Sequence, residues 1–400
     1  MIAMPDGVKF IIGKLGEGGF EGCAVGGCIR DTLLGRPPGD WDVATDACPA
    51  DVIKLFRKAR VTVIPTGVRH GTVTVVRDGR NYEITSYRID GEYTDGRRPD
   101  GVTFTPDLAL DLARRDFTIN AMAYNETRGL VDLFGGQADL AAKVIRCVGS
   151  AEERLAEDYL RMLRAYRFAA ALGFAIDGDI ITAAEKYKEK LSGISAERIR
   201  AELDKTLANG RYDGICAFLD AFAQIILPET GGALNMIKKT LRFTEPDLVL
   251  CLAALLLPTG AEGAKNALKR LKYDNETIKK VTELIAFANS DIISGKPAAK
   301  RAMRAVGAEA FPRLGRLQSA ISAARAELLA EEIIANGEPF TLKHLKITGD
   351  DIMRLTGKPP GEWLGRELER LLEVVTEDPA VNEFQRLREL VMEMHGEGAK

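Results

Sequence analysis

Between residues 72 and 86 apolar and polar side chains alternate in two short runs, Thr72-Val73-Thr74-Val75-Val76 and Tyr82-Glu83-Ile84-Thr85-Ser86, on either side of Asp78-Gly79. Alternation with period two marks a half-buried strand, and Asp-Gly accepts the positive φ angles of a tight turn, so the stretch predicts an antiparallel hairpin. Similar β-rich runs, separated by turn formers, recur from residue 22 to about 135. From about 150 onward the apolar positions repeat at helical spacing instead. Leu155, Tyr159, Met162, Tyr166 and Ala169 form one such stripe. It predicts a single amphipathic helix over 154–172 with Glu157, Asp158, Arg161, Arg164 and Arg167 on the opposite face. Leu248 to Leu257 is an apolar run of ten residues, well short of a bilayer span of about 20, and predicts a core helix. The expected class is α+β, with strands and helices first and helices alone afterwards.

Two interruptions matter. Asp95 to Gly101 (DGRRPDG) is rich in turn formers and charge and has no apolar face, which predicts a mobile loop. Asn336-Gly-Glu-Pro-Phe340 precedes a segment broken again by Pro359, Pro360 and Gly361, which predicts a small terminal domain. A chain of 400 residues exceeds one ordinary core, and two to four structural units are expected.

Composition narrows the chemistry. Six cysteines without CxxC spacing and only three histidines suggest neither a zinc site nor a disulfide framework. The first residues lack the pattern of a secretory signal, so a cytoplasmic location is expected. A formal net charge of −3 means that a polyanion must be held by local basic patches.

The densest candidate chemistry lies at 23–45, CAVGGCIRDTLLGRPPGDWDVAT. It reads as a strand, a glycine pair, a helix ending at Gly35, and Asp40-Trp-Asp42 entering a second strand. Alternate strand residues share a face, so Asp40 and Asp42 converge. Two converging carboxylates suit Mg²⁺, and a pair of such ions can activate a hydroxyl and stabilise a leaving oxygen. Gly26 and Gly27 let backbone amides approach a triphosphate, and Arg30, one turn into the helix, can neutralise it. Either motif alone is commonly just a turn; their order and spacing together favour function. A dinucleotide site is excluded by the absence of GxGxxG, and a P-loop by the absence of GxxxxGK[ST]. Glu83 shares a strand face with Thr85 and Tyr87 and is a candidate third carboxylate, or simply a half-exposed strand residue.

The charged face of the 154–172 segment has two readings. One is a solvated face with a Glu157–Arg161 pair. The other is a reader of nucleobases: Asp158 accepting from an exocyclic amino group and Arg161 donating to a ring nitrogen would take cytosine and adenine and refuse uracil and guanine. Arg164 and Arg167 would then serve phosphate or orient the pair. Arg114-Arg115-Asp116 reads locally as a salt-bridged loop, with Asn120 as a cap.

These stretches together resemble the bacterial class II CCA-adding tRNA nucleotidyltransferases, a branch of the polymerase-β-like superfamily shared with bacterial poly(A) polymerases. The matches are GGCIRD (26–31), GDWDVAT (39–45), GVRHGTVTVV (67–76), EITSYR (83–88), DGRRPDGVTF (95–104), RRDFTINAMAY (114–124), EDYLRMLRAYRFAAALGF (157–174) and ISAERIRAEL (194–203). The resemblance implies a mixed-sheet head over 1–140, a helical neck over 141–210, a body over 211–335 and a tail over 336–400, the last two binding tRNA. It implies two Mg²⁺ ions on Asp40 and Asp42, triphosphate contacts from Gly27 and Arg30, and ribose or phosphate contact from Arg115. It assigns base templating to Asp158 and Arg161, with Arg164 and Arg167 completing the nucleotide site. The implied reaction is addition of C, C and A to the 3′ end of tRNA from CTP and ATP. The A-adding and poly(A) polymerase activities are close alternatives, and a catalytically silent RNA-binding protein is a remote one. The 95–101 loop matches one present in A-adding relatives and argues against a CC-only enzyme. Trp41, between the two aspartates, departs from the family pattern and puts neither ligand in doubt.

Overall fold

In a computed structural model of the chain the described residues are 2–91, 101–242, 247–288, 295–307, 310–322 and 326–396. They fall into two compact units, Met1–Pro228 and Glu229–Lys400. The predicted loop at 95–101, apart from Gly101, lies outside the described residues.

The first unit runs α1 (Asp6–Glu17), β1 (Gly22–Val25), α2 (Gly27–Leu33), β2 (Asp42–Thr45), α3 (Pro49–Lys58), β3 (Thr62–Gly67), β4 (Thr72–Arg77), β5 (Arg80–Ser86), β6 (Arg88–Asp90), β7 (Val102–Phe104) and α4 (Leu108–Ala113). It continues with β8 (Met122–Asn125), β9 (Gly129–Asp132), α5 (Gly136–Ala142), β10 (Val144–Ile145), α6 (Ala151–Glu157), α7 (Leu160–Leu172), β11 (Ala175–Ile176), α8 (Gly178–Tyr187), α9 (Ala196–Asn209) and α10 (Tyr212–Ile226). Seven strands form one mixed sheet in the order β3-β4-β5-β2-β1-β8-β9, in which β2 and β5 are parallel and the other neighbours antiparallel. The predicted hairpin is β4–β5. Arg77 pairs with Arg80, and Asp78 and Gly79 take φ of +50° and +71°, the two positive angles of a type I′ turn. On one sheet face Cys23, Val25, Ala44, Tyr87 and Ala123 pack against Leu108 and Leu112 of α4. Leu112 is fully buried, and its truncation to Ala would cost about 2–5 kcal/mol.

The predicted 154–172 helix is two helices. Asp158 breaks it at φ −141°, ψ 103°, because its carboxylate accepts the Leu160 amide at 3.1 Å and offers the backbone an alternative to the helical bond. The supposed solvated face is not solvated either. Arg161 is 8% exposed, since α7 is enclosed by α9 and α10 as well as by the 114–120 segment.

In the second unit the apolar run is a helix, Leu248–Leu256, with seven of its nine residues buried and its N-terminus capped by Asp247. After residue 340 the chain collects a core of its own, Leu345, Ile347, Ile352, Leu371, Leu372, Val375, Leu387 and Val391. The Pro359-Pro360-Gly361 break falls between the helices Gly349–Thr356 and Glu362–Glu377.

Candidate active site

Strand register places the acidic residues. Val25 pairs with Asp42, and the parallel pairing of Val43 with Ile84 sets Asp42 beside Glu83. Thr85 and its cross-strand partner Thr72 continue the same face, their hydroxyls 3.2 Å apart. Asp40 precedes β2 instead of lying within it. The Asp42 carboxyl opens onto the cleft yet is held above the usual carboxylate range. Partial withdrawal from water is the main cause, followed by Glu83; Asp40 adds a smaller push and Arg115 opposes it. Three mutually repelling carboxylates are a donor set that a hard divalent cation would relieve. Among the described residues no group of three or more His, Cys, Asp and Glu is gathered closely enough to hold a metal ion by itself.

Beside these carboxylates, Gly26 leads from β1 into α2 at φ +79°. A Cβ there would be strained and would approach Arg115 Nη1 to 3.0 Å, so the position favours glycine for two reasons. Arg30 does not reach into open solvent. It grips Asp31 at 2.9 and 3.0 Å and donates to Asn120 Oδ1 at 2.7 Å. Asn120 is thus a bridge, not a cap, because its amide nitrogen in turn donates to Asp116 at 3.2 Å.

The opposite wall is built of arginine and carboxylate pairs. Buried Asp111 accepts Arg114 at 2.8 Å and Arg115 at 3.3 Å, so the local reading of 114–116 as salt-bridged holds. Asp116 accepts both the Nε and an Nη of Arg164, at 2.9 and 2.6 Å. Burial alone would raise the Asp116 carboxyl, but Arg164 and Asn120 bring it down to about 2. Arg167 pairs with buried Glu202. Arg161 donates to Glu157 at 2.5 Å and to the Arg154 carbonyl at 3.0 Å, while Asp158 is held by Arg198 at 2.6 Å.

Asp42, Glu83, Arg115, Asp158, Arg161 and Arg164 line one cleft of about 380 Å³. Of the other sequence candidates, Asp40 stands beside Asp42, and Arg30 is tied to the cleft through Asn120 and Asp116. Gly27 opens α2 next to Arg30, and Arg167 faces Glu202. Sequence reasoning did not single out Arg88 or Arg198, which also line the cleft, or Asp111 and Glu202, which hold its arginines. Arg198 and Glu202 fall inside the quoted ISAERIRAEL stretch, but no local pattern there points to partners 35–40 residues away.

Comparison with known proteins agrees with this geometry. The family described as Poly A polymerase head domain matches residues 23–146. One described as probable RNA and SrmB-binding site of polymerase A matches 173–230, and one described as tRNA nucleotidyltransferase domain 2 matches 245–391. The CCA-adding enzyme of Geobacillus kaustophilus is 34% identical over 96% of this chain and 95% of its own length. That of Oceanobacillus iheyensis is 50% identical over 49% of this chain and 48% of its own. The crystal structure of the Bacillus stearothermophilus CCA-adding enzyme in complex with CTP superposes with a TM-score of 0.81 at 31% identity, covering 99% of each chain. Nucleotidyltransferases of this kind depend on a divalent metal. Similarity at this level along nearly the whole length, with the same fold around the cleft, shows that the chain belongs to the bacterial CCA-adding tRNA nucleotidyltransferase family.

Proposed function

We propose that this protein adds C, C and A in turn to the 3′ end of tRNA, using CTP and ATP and releasing pyrophosphate. The observation that carries this reading is the single cleft in which the acidic strand pair Asp42 and Glu83 faces a wall containing Asp158 and Arg161. A nucleoside triphosphate needs both features: charge management at the phosphates and a polar edge that selects the base.

Asp40 and Asp42, with Glu83 as a third carboxylate, would hold two Mg²⁺ ions. Bound there, the ions would supply activation of the acceptor hydroxyl and neutralise charge on the departing pyrophosphate. Arg115 is suited to a phosphate or ribose oxygen, since its buried Nε has no hydrogen-bond partner among the described residues. Gly27 presents backbone to the triphosphate, and Arg30 offsets its charge. Asp158 accepts from the amino group of cytosine or adenine, because a carboxylate keeps acceptor capacity beyond its bonds to Arg198 and Leu160. Arg161 donates to the ring nitrogen, and Arg164 and Arg167 orient the pair. The 3′ oxygen of the tRNA then attacks the α-phosphate, a step whose catalysis is chiefly positioning and charge stabilisation. We assign tRNA binding to the body, 211–335, and the tail, 336–400, of a four-part chain with its head at 1–140 and neck at 141–210. The enzyme is placed in the cytoplasm with its substrates.

The test is a single-nucleotide-resolution extension assay on tRNA transcripts ending before CCA, after C and after CC, with Mg²⁺ and each NTP separately and together. Stepwise C, C, A addition that then stops is expected. Addition of A alone to the CC-ended transcript, or an unbounded A ladder, would replace the reading with an A-adding enzyme or a poly(A) polymerase.

A further inference from the structure

One aromatic ring stands where the proposed triphosphate and base contacts meet. Phe168, on α7 and 8% exposed, has the guanidinium carbons of Arg30, Arg164 and Arg167 at 5.0, 5.6 and 3.9 Å from its ring centroid. All three lie within the roughly 6 Å at which a cation is attracted by the ring quadrupole. Arg164 and Arg167 come from the helix of Phe168 itself, whereas Arg30 comes from α2, at the far end of the nucleotide site. Phe168 is itself fixed by an edge-on contact with Phe117, centroids 5.8 Å apart at 81°, directly after Asp116.

We infer that Phe168 is a positioning residue for the nucleotide, holding the triphosphate-side Arg30 and the base-side Arg164 and Arg167 on one ring. The inference rests on the proposed roles of those arginines. Each guanidinium has a close carboxylate partner, Asp31, Asp116 or Glu202, with Arg164 also 3.7 Å from Glu202 and Arg30 also donating to Asn120. Those partners fix one edge of each fork, and the ring fixes its plane. The ring adds a cation–π attraction to each of these ion pairs. A ring that lies in the interior, away from bulk water, makes the attraction stronger than at an exposed site. Loss of the ring face should therefore loosen both ends of the bound nucleotide at once.

The experiment compares wild type, Phe168→Leu, which keeps apolar bulk and loses the π face, and Phe168→Tyr, which keeps both. Steady-state kcat and KM for CTP and ATP, the CTP-over-UTP preference and the thermal midpoint are measured on the same tRNA transcripts. Phe168→Leu should raise KM for both nucleotides about tenfold, lower the CTP-over-UTP preference several-fold and change the thermal midpoint little. Phe168→Tyr should stay within about twofold of wild type. If Phe168→Leu does not fold, Phe168→Met takes its place. A Leu or Met variant with wild-type KM and preference overturns the inference, as does a Tyr variant as impaired as Leu, which would mean packing shape alone. Wild-type transfer is read in the same assay, and its absence would sink the proposed function instead.

Discussion

The two sides of the cleft are built on opposite electrostatic plans. On the sheet side, Asp42 is raised, chiefly by withdrawal from water and then by the charges of Glu83 and Asp40. On the helical side, Asp116, Glu157, Asp158 and Glu202 each hold an arginine, and Asp116 is lowered to about 2. The difference teaches which parts await a ligand. Each of the helical-side carboxylates already holds an arginine, the kind of preorganisation that the proposed base reader requires. The acidic strand face carries a carboxyl raised by burial and by like charges, the electrostatics that a divalent cation would relieve.

Substitutions that treat the two sides differently test this contrast. Asp42→Ala should give the largest effect, a loss of roughly 10³-fold or more in kcat, as expected when several kcal/mol of charge stabilisation disappear. Its thermal midpoint should hold or rise, because a repelling carboxylate is gone; a cooperative loss of stability would show that the acidic face is structural. Asp116→Asn should do the reverse in stability, costing about 2–3 kcal/mol because Arg164 would lose its close partner and keep only the longer contact with Glu202 at 3.7 Å. The pH dependence follows from the sign of the shift. A carboxyl lowered from 3.8 to about 2 contributes roughly 2–3 kcal/mol that is present above pH 4 and lost as pH falls toward 2. Denaturant titrations of both proteins should therefore show a gap that is constant near neutrality and narrows through that window, and a gap independent of pH would remove Asp116 from this role.

Smaller effects sharpen the comparison. Asp158→Ala combined with Arg161→Ala should reduce discrimination against UTP and GTP by about one to two orders of magnitude, as expected for polar readers of a base edge. Misincorporation assays that found unchanged selectivity would move base reading elsewhere in the cleft. Gly26→Ala should cost about 1 kcal/mol from the left-handed backbone alone and raise KM for nucleotide through displacement of Arg115. A substitution without effect on either would mean that the turn relaxes freely.

What could be read locally was read well. The Asp78-Gly79 hairpin and the buried Leu248–Leu256 helix follow from periodicity and turn chemistry, which act over a few residues, whereas the placing of Glu83 beside Asp42 depends on the long-range parallel pairing of β2 with β5. The 154–172 segment shows where that logic stops. Its stripe is real, with Leu155, Met162 and Ala169 buried, and the local Glu157–Arg161 pair forms, but periodicity alone leaves open whether the charged face meets water or a nucleobase, and the partners of Asp158, Arg164 and Arg167 lie far along the chain.

The amino-acid sequence by itself determined the elements that carry the chemistry, the glycine-led entry into α2, the acidic pair before and in β2, and the arginine-studded helix. Only the tertiary structure decided which of those charges would be spent on one another. Arg30 meets Asn120 across 90 positions, Arg164 meets Asp116 across 48, and Asp158 meets Arg198 across 40. A buried charge must find a partner wherever the fold brings one, and that search runs through space instead of along the chain.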